Sequence, residues 1–286
     1  MNGTALSLVL TAAVIHAGWN LAAKRVPGGG ARFVCLYYTV SAVVCLPVAA
    51  VALTVEAQRP RWTWLLAAIL TAIFHVLYGI VLQRGYAVGD LSVVYPLARG
   101  SGPLLSVVAA VVLLGERPGL LGLAGALLVI AGVLVIGSGR STAHPRARRA
   151  GIAYGLLTGA TIAAYTLWDD HSVTALAVPP LVYFSTGALL QSALLAPVAV
   201  RQRDLTALWR GHWREILLVG VLSPVAYVLV LYAMRLAPVS LVAPSREISI
   251  VLGGIAAWRV LGEAHPGRRL FGSCVVLTGI AAIAVS

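Results

Sequence analysis

Apolar stretches of bilayer length recur along the whole chain, each closed by a short break of polar residues, glycine or proline. A membrane-spanning helix needs roughly 20 apolar residues. The pattern predicts ten such helices, at 4–23, 33–55, 62–83, 91–114, 119–137, 151–168, 179–200, 214–234, 239–261 and 267–285. These spans take up most of the 286 residues, so no soluble domain is expected. The longest polar breaks fall at 138–149 and 201–213.

Composition sharpens this picture. The chain is 60% hydrophobic and 10% charged, with a mean hydropathy of +0.93, whereas a soluble domain carries about 25% charged residues. The net charge of +12 would suggest a nucleic-acid partner in a soluble protein. Here basic cytoplasmic loops account for it. Cys35, Cys45 and Cys274 form no motif, and no cluster has metal-ligand spacing. Neither a metal nor a cofactor is expected. The first span lacks a basic leader, which argues against a cleaved signal peptide.

The chain repeats itself. Arg99 is followed by Gly115-Glu116 at the same distance as Arg246 is followed by Gly262-Glu263. Over 99–116 and 246–263, seven of 18 positions are identical. Tyr86-Ala87 and Tyr232-Ala233 extend the match. The expected organisation is a first half over 1–137, a basic linker at 138–149 and a second half over 150–286. Five spans per half make the copies run in opposite directions, which is an inverted repeat.

Charge sets an orientation. Loops after the odd-numbered spans hold 15 Lys and Arg, whereas the other loops hold four, Arg59, Arg61, Arg117 and Arg235. The positive-inside rule then places both termini outside the cytoplasm.

The segments His16-Ala17-Gly18-Trp19-Asn20, "YPLARG" at 95–100, "LTGATIAAYTLWDD" at 157–170 and the two Gly-Glu span ends resemble the EamA-type branch of the drug/metabolite transporter superfamily. The likeness covers nearly the whole chain. It implies an all-α membrane protein of ten helices, in two inverted five-helix repeats around a central cavity. It also implies alternating access and export of metabolites, amino acids or drugs from an inner (cell) membrane. The resemblance implies, as for many members, both termini in the cytoplasm; the charge count for this chain says the opposite, and it is the expectation adopted.

Polar side chains inside the spans mark candidate sites, because ionisable groups at membrane depth are costly. His16, Trp19 and Asn20 share one face of the first helix, and Thr71, His75 and Tyr78 share one face of the third. Thr161, Tyr165 and Trp168 do so in the sixth, Tyr95 and Arg99 pair in the fourth, and Tyr227 follows Pro224 in the eighth. Any single one of them is better suited to interhelical hydrogen bonding, worth roughly 0.6–2 kcal/mol, but several such faces together point to a cavity. Glu247 reads as the one clear carboxylate within the membrane, with Asp169-Asp170 closing the sixth span. Two arginines and one acid leave a local positive charge suited to an anionic group. The expected substrate contacts are Arg99, Arg246, Glu247, Tyr95, Trp19, Asn20, Tyr78, Tyr165, Trp168 and Tyr227. Glu247, His16 and His75 are the candidates for proton coupling. Glu116 and Glu263 read as interface anchors or gate contacts.

No phosphate-binding loop of the G-x-x-x-x-G-K-[ST] type is present, so direct use of ATP is not expected. The reading is a non-enzymatic secondary transporter of a small polar or anionic metabolite, with the bilayer and a small molecule as partners and a homodimer compatible with it. A lipid-headgroup flippase is the alternative. A membrane enzyme is the weaker one, since no nucleophile–base pair is evident.

Overall fold

The computed structural model describes residues 1–23, 25–26, 30–55, 59–89, 91–137, 145–201, 204–252 and 266–286. The helices are α1 (Gly3–Ala23), α2 (Gly30–Val55), α3 (Trp62–Val88), α4 (Leu91–Leu113), α5 (Gly119–Gly137), α6 (Pro145–Thr174), α7 (Pro180–Arg201), α8 (Leu205–Met234), α9 (Val239–Ser245) and α10 (Pro266–Ala284). Eight are long and apolar enough to cross a membrane, and Leu270–Ala284 is a shorter apolar helix. Large apolar side chains such as Val43, Leu66, Leu120 and Val198 point outward, as bundle helices facing lipid require.

Packing follows a two-fold rule. Helix α2 packs on α7, α4 on α9 and α5 on α10. Helix α3 packs on α6 as α8 packs on α1, and α3 on α7 as α8 on α2. The α5–α10 seam shows why small residues matter. A Cβ placed on Gly125 would lie 2.7 Å from the Gly279 carbonyl oxygen, and one on Gly132 would lie 2.7 Å from that of Gly272. Gly272 and Gly279 are the repeat mates of Gly125 and Gly132, by the register that relates Arg99 to Arg246. The contacts are crossed, Gly125 with Gly279 and Gly132 with Gly272, as antiparallel copies about a two-fold axis demand. Close backbone approach at small residues drives association of helices in lipid, where no hydrophobic force separates helix from helix.

Some boundaries differ from the sequence expectation. Helix α6 begins at Pro145, inside the expected linker, and runs on to Thr174 rather than ending at Trp168. Helix α8 begins at Leu205 and bends at His212, whose φ of −137° and ψ of 27° are non-helical. The expected ninth span is represented by α9 and by a helical run over 248–252, and 253–261 lies outside the described residues. Between those two pieces the hydrogen bonds tighten from i−4 to i−3. Glu247 N–H donates to Pro244 O at 2.9 Å, Ser249 N–H to Arg246 O at 3.2 Å and Ile250 N–H to Glu247 O at 2.9 Å. Pro244 offers no N–H to the Ser240 carbonyl one turn earlier, and a stretch of 3₁₀ inside a helix often marks a hinge.

The ends of α1 and α10 meet. The Met1 nitrogen donates to Ile283 O at 3.3 Å, and Asn2 Nδ2 donates to Leu236 O at 3.1 Å. The termini therefore share one face of the bundle.

Candidate functional site

The repeated arginines converge from opposite halves. Arg99 sits on α4 one turn beyond Pro96, with 22% of its side chain exposed, and its Nη2 lies 3.1 Å from Glu247 Oε2. Ser249 Oγ is 3.5 Å from the same nitrogen. The ion pair is close but poorly aligned. Arg99 Nε and Glu247 Oε2 are both buried without a hydrogen-bond partner, so the centre keeps unspent hydrogen-bonding capacity. Arg246 takes a different partner. Its guanidinium carbon lies 5.5 Å from the centre of the Tyr227 ring, within cation–π range. Among the described residues no carboxylate pairs with Arg246.

An aromatic wall joins this centre. His75 stacks on Tyr165 with ring centres 4.2 Å apart, and Tyr78 meets Tyr165 edge-on at 5.7 Å. Tyr227 completes the group, 5.7 Å from His75. Tyr165 lies within electrostatic reach of both arginines. The structure thus brings together Arg99, Arg246, Glu247, Tyr78, Tyr165, Tyr227 and His75.

Of the other expected residues, Trp19, Asn20 and Trp168 pack or bond elsewhere, whereas His16 and Tyr95 stay within electrostatic reach of the centre. Trp19 packs with Phe33, Ile216 and Val219 and touches His16 edge-on at 4.6 Å. Asn20 Nδ2 donates to its own helix at His16 O, 2.9 Å away. His16 itself lies within reach of both arginines. Trp168 Nε1 donates to Ala67 O at 3.0 Å, bolting α6 to α3. Tyr95 is 44% exposed.

The expectation that Glu247 is the one clear membrane carboxylate needs correction. Asp169 is fully buried, because α6 continues for five residues beyond it. Its Oδ1 accepts from Thr71 Oγ1 at 2.7 Å and from Tyr183 OH at 2.5 Å. Its Oδ2 accepts from Tyr227 OH. Hydroxyls from α3, α7 and α8 therefore replace the water that a chain end would have offered. The signal was present in the sequence. Thr158, Thr161, Tyr165, Asp169 and Ser172 are spaced three or four apart, which puts them on one helical face.

Glu116 also has a defined partner. Its two carboxylate oxygens accept from the backbone N–H groups of Val239 and Ser240, each at 2.9 Å. A carboxylate from the first half thus caps the first turn of α9, where free N–H groups and the helix dipole favour negative charge. The turn that presents it uses Gly115 and Gly119 at φ of +69° and +72°, a left-handed conformation glycine adopts without strain. Its repeat mate Glu263 lies outside the described residues. Among the described residues no group of three His, Cys, Asp or Glu side chains could hold a metal.

Comparison with known proteins accords with this geometry. A model described as the EamA-like transporter family matches residues 3–138 and again 149–285. No curated protein matches by sequence. A solved crystal structure superposes with a TM-score of 0.80 at 19% identity, covering 100% of this chain and 98% of that one. At that identity the likeness speaks to fold alone. With the family matched twice over nearly the full length, this multi-pass membrane protein belongs to the EamA-like transporter family.

Proposed function

We propose that the chain is a secondary transporter that exports a small polar or anionic metabolite, amino acid-like or drug-like, by alternating access. The observation that carries this reading is the asymmetric use of two symmetric arginines. Arg99 and Arg246 occupy matching repeat positions, yet Glu247 pairs with Arg99 alone, while Arg246 faces the Tyr227 ring. An arginine at membrane depth costs at least about 2.5–3.5 kcal/mol on insertion scales, and Glu247, paired closely with Arg99, reaches Arg246 only at longer range. A carboxylate or similar group on the substrate would recover that cost and take up the guanidinium's planar donor fork. Tyr78, Tyr165 and Tyr227 would line the rest of the substrate's path.

The hinge geometry after Pro244 supplies a place where α9 can bend. Residues 246–247 lie at that break, so motion of α9 moves the arginine itself. Glu116 clamps the other end of the same helix. In this reading transport is driven by an ion gradient or by the substrate's own gradient, and both termini lie outside the cytoplasm of a cell whose inner membrane holds the protein.

The test is a comparison of metabolites inside and outside cells that lack the protein or overproduce it. The reading expects one or a few anionic small molecules to build up inside the deficient cells and outside the overproducing ones. Unchanged pools on both sides, with the protein present in the membrane, would refute export.

A further inference from the structure

The buried Asp169 cage has a proton count that its geometry constrains. His75 Nδ1 lies 2.9 Å from the Thr71 carbonyl oxygen, which can only accept, so Nδ1 carries a hydrogen. Thr71 Oγ1, 3.1 Å from the same nitrogen, gives its own proton to Asp169 and likewise accepts. In a neutral imidazole, Nε2 is then a bare lone pair. That lone pair faces Tyr227 OH at 3.1 Å. Yet Tyr227 has one proton, and the Asp169 carboxylate takes it.

With an ionised Asp169 and a neutral His75, two acceptors would compete for one hydrogen. Two arrangements satisfy every contact while Tyr227 stays a phenol. In one, Asp169 is ionised, Tyr227 donates to it, and an imidazolium Nε2–H donates to the Tyr227 oxygen. In the other, a protonated Asp169 donates from Oδ2 to the Tyr227 oxygen, and Tyr227 donates to Nε2. They interconvert as the Nε2–H and Tyr227 O–H bonds break and new O–H bonds form on Tyr227 and Asp169. No electrons change hands. Both arrangements hold one proton more than a carboxylate, a phenol and a neutral imidazole, and both are electrically neutral.

We propose that Asp169, Tyr227 and His75 form a single proton-binding site, which takes one proton from water and holds it between carboxylate and imidazole. Loss of that proton leaves an anion with an unsatisfied acceptor contact between α3 and α8. The ring that bridges the site, Tyr227, also carries the Arg246 guanidinium on its face. Proton and substrate would therefore share a neighbour, and each would bias the binding of the other. Other ionisable groups face the trio from every side. They are Tyr38 of α2, Tyr78 of α3, Tyr165 and Asp170 of α6 and Tyr183 of α7. Arg246 beyond α9 lies on the Tyr227 ring itself, Arg99 of α4 reaches the trio through Tyr165, and His16 of α1 faces the same arginines. The coupling rests on the transporter reading above, but the proton site does not.

The experiment is nuclear magnetic resonance of isotope-labelled histidine in the purified full-length protein in lipid, without substrate, followed across pH. The His75 signals are assigned by their loss in His75→Gln. In the wild type the His75 ring nitrogens are expected to respond as the shared proton leaves. Asp169→Asn supplies an amide donor to Tyr227 and frees Tyr227 to donate to Nε2, completing the chain without an extra proton. His75 should then stay neutral over the range in which the wild type responds. An identical response in the two proteins would overturn the proposal. If Asp169→Asn does not fold, Tyr227→Phe serves, because it removes the bridge and leaves both end groups. An unaltered His75 response there overturns the proposal equally. These readouts need no substrate, so failure of the transport reading leaves them interpretable.

Discussion

At the scale of residues, the centre depends on geometry as much as on charge. Arg99→Lys keeps the cation but loses the planar fork. A hydrogen bond to a charged group is worth about 1.5–3 kcal/mol, so uptake into inverted vesicles should fall roughly 10- to 150-fold while the folded yield is retained. Wild-type rates would assign Arg99 a structural role. Glu247→Gln should behave differently. It strips Arg99 of its buried counter-charge, so the expected result is a lower melting temperature with the pH dependence of transport unchanged. A lost pH response with unaltered melting would instead make Glu247 the proton carrier and move that role away from Asp169. The arginines, Glu247 and the aromatic faces were legible in the sequence, since polar groups in apolar runs stand out. Asp169 was misread for a physical reason. Two adjacent acids in a hydropathy profile look like a chain leaving the membrane, and only the hydroxyls of Thr71, Tyr183 and Tyr227, from three other helices, make a buried carboxylate tenable.

At the scale of elements, two devices stand out. The first is the α5–α10 seam, where Gly125, Gly132, Gly272 and Gly279 let the backbones touch. Gly279→Leu would drive a side chain into the Gly125 carbonyl and Val129, both within 3 Å of a Cβ at that position. Overpacking of this kind costs about 1–3 kcal/mol, and the variant should melt at a lower temperature in detergent than the wild type. An equal melting temperature would mean the seam is looser than described. The second is the clamp of Glu116 on α9. Glu116→Gln keeps one acceptor oxygen and replaces the other with a donor that cannot receive a backbone N–H, so it should speed hydrogen exchange at Val239 and Ser240. Unchanged exchange at both would show that the clamp contributes nothing to α9. Helix existence followed from run length alone. Helix ends did not follow everywhere, because the basic start of α6 is too polar to score as a span yet continues the same helix; in α8 the expected start at 214 falls beside the kink at His212.

At the scale of the molecule, the repeat, the paired helices and the crossed glycines describe one inverted two-fold. This symmetry was readable in the register between Arg99 and Arg246, while the departures from it were not. Glu247 has Gly100 as its repeat counterpart, and Asp169 of the Trp168-Asp169 pair stands where the first helix has Asn20 in Trp19-Asn20, so the chemistry lies where the halves differ. Orientation is tested by a phosphatase fused after Ser286, expected to be active outside the cytoplasm; a fluorescent reporter that lights only in the cytoplasm should stay dark there. A bright cytoplasmic signal would reverse the assignment. The claim at the centre of the account is that the arginine centre, through Arg246 with no close ion pair of its own among the described residues, grips a negative group. Its most direct measurement is counterflow in proteoliposomes, comparing an exported carboxylate with its neutral amide in the wild type and in an Arg99→Lys, Arg246→Lys double variant. The account predicts a wild-type preference for the carboxylate on the order of 10-fold or more, as one charged contact of about 1.4 kcal/mol would give, and its loss in the double variant. Equal transport of carboxylate and amide by the wild type would contradict it.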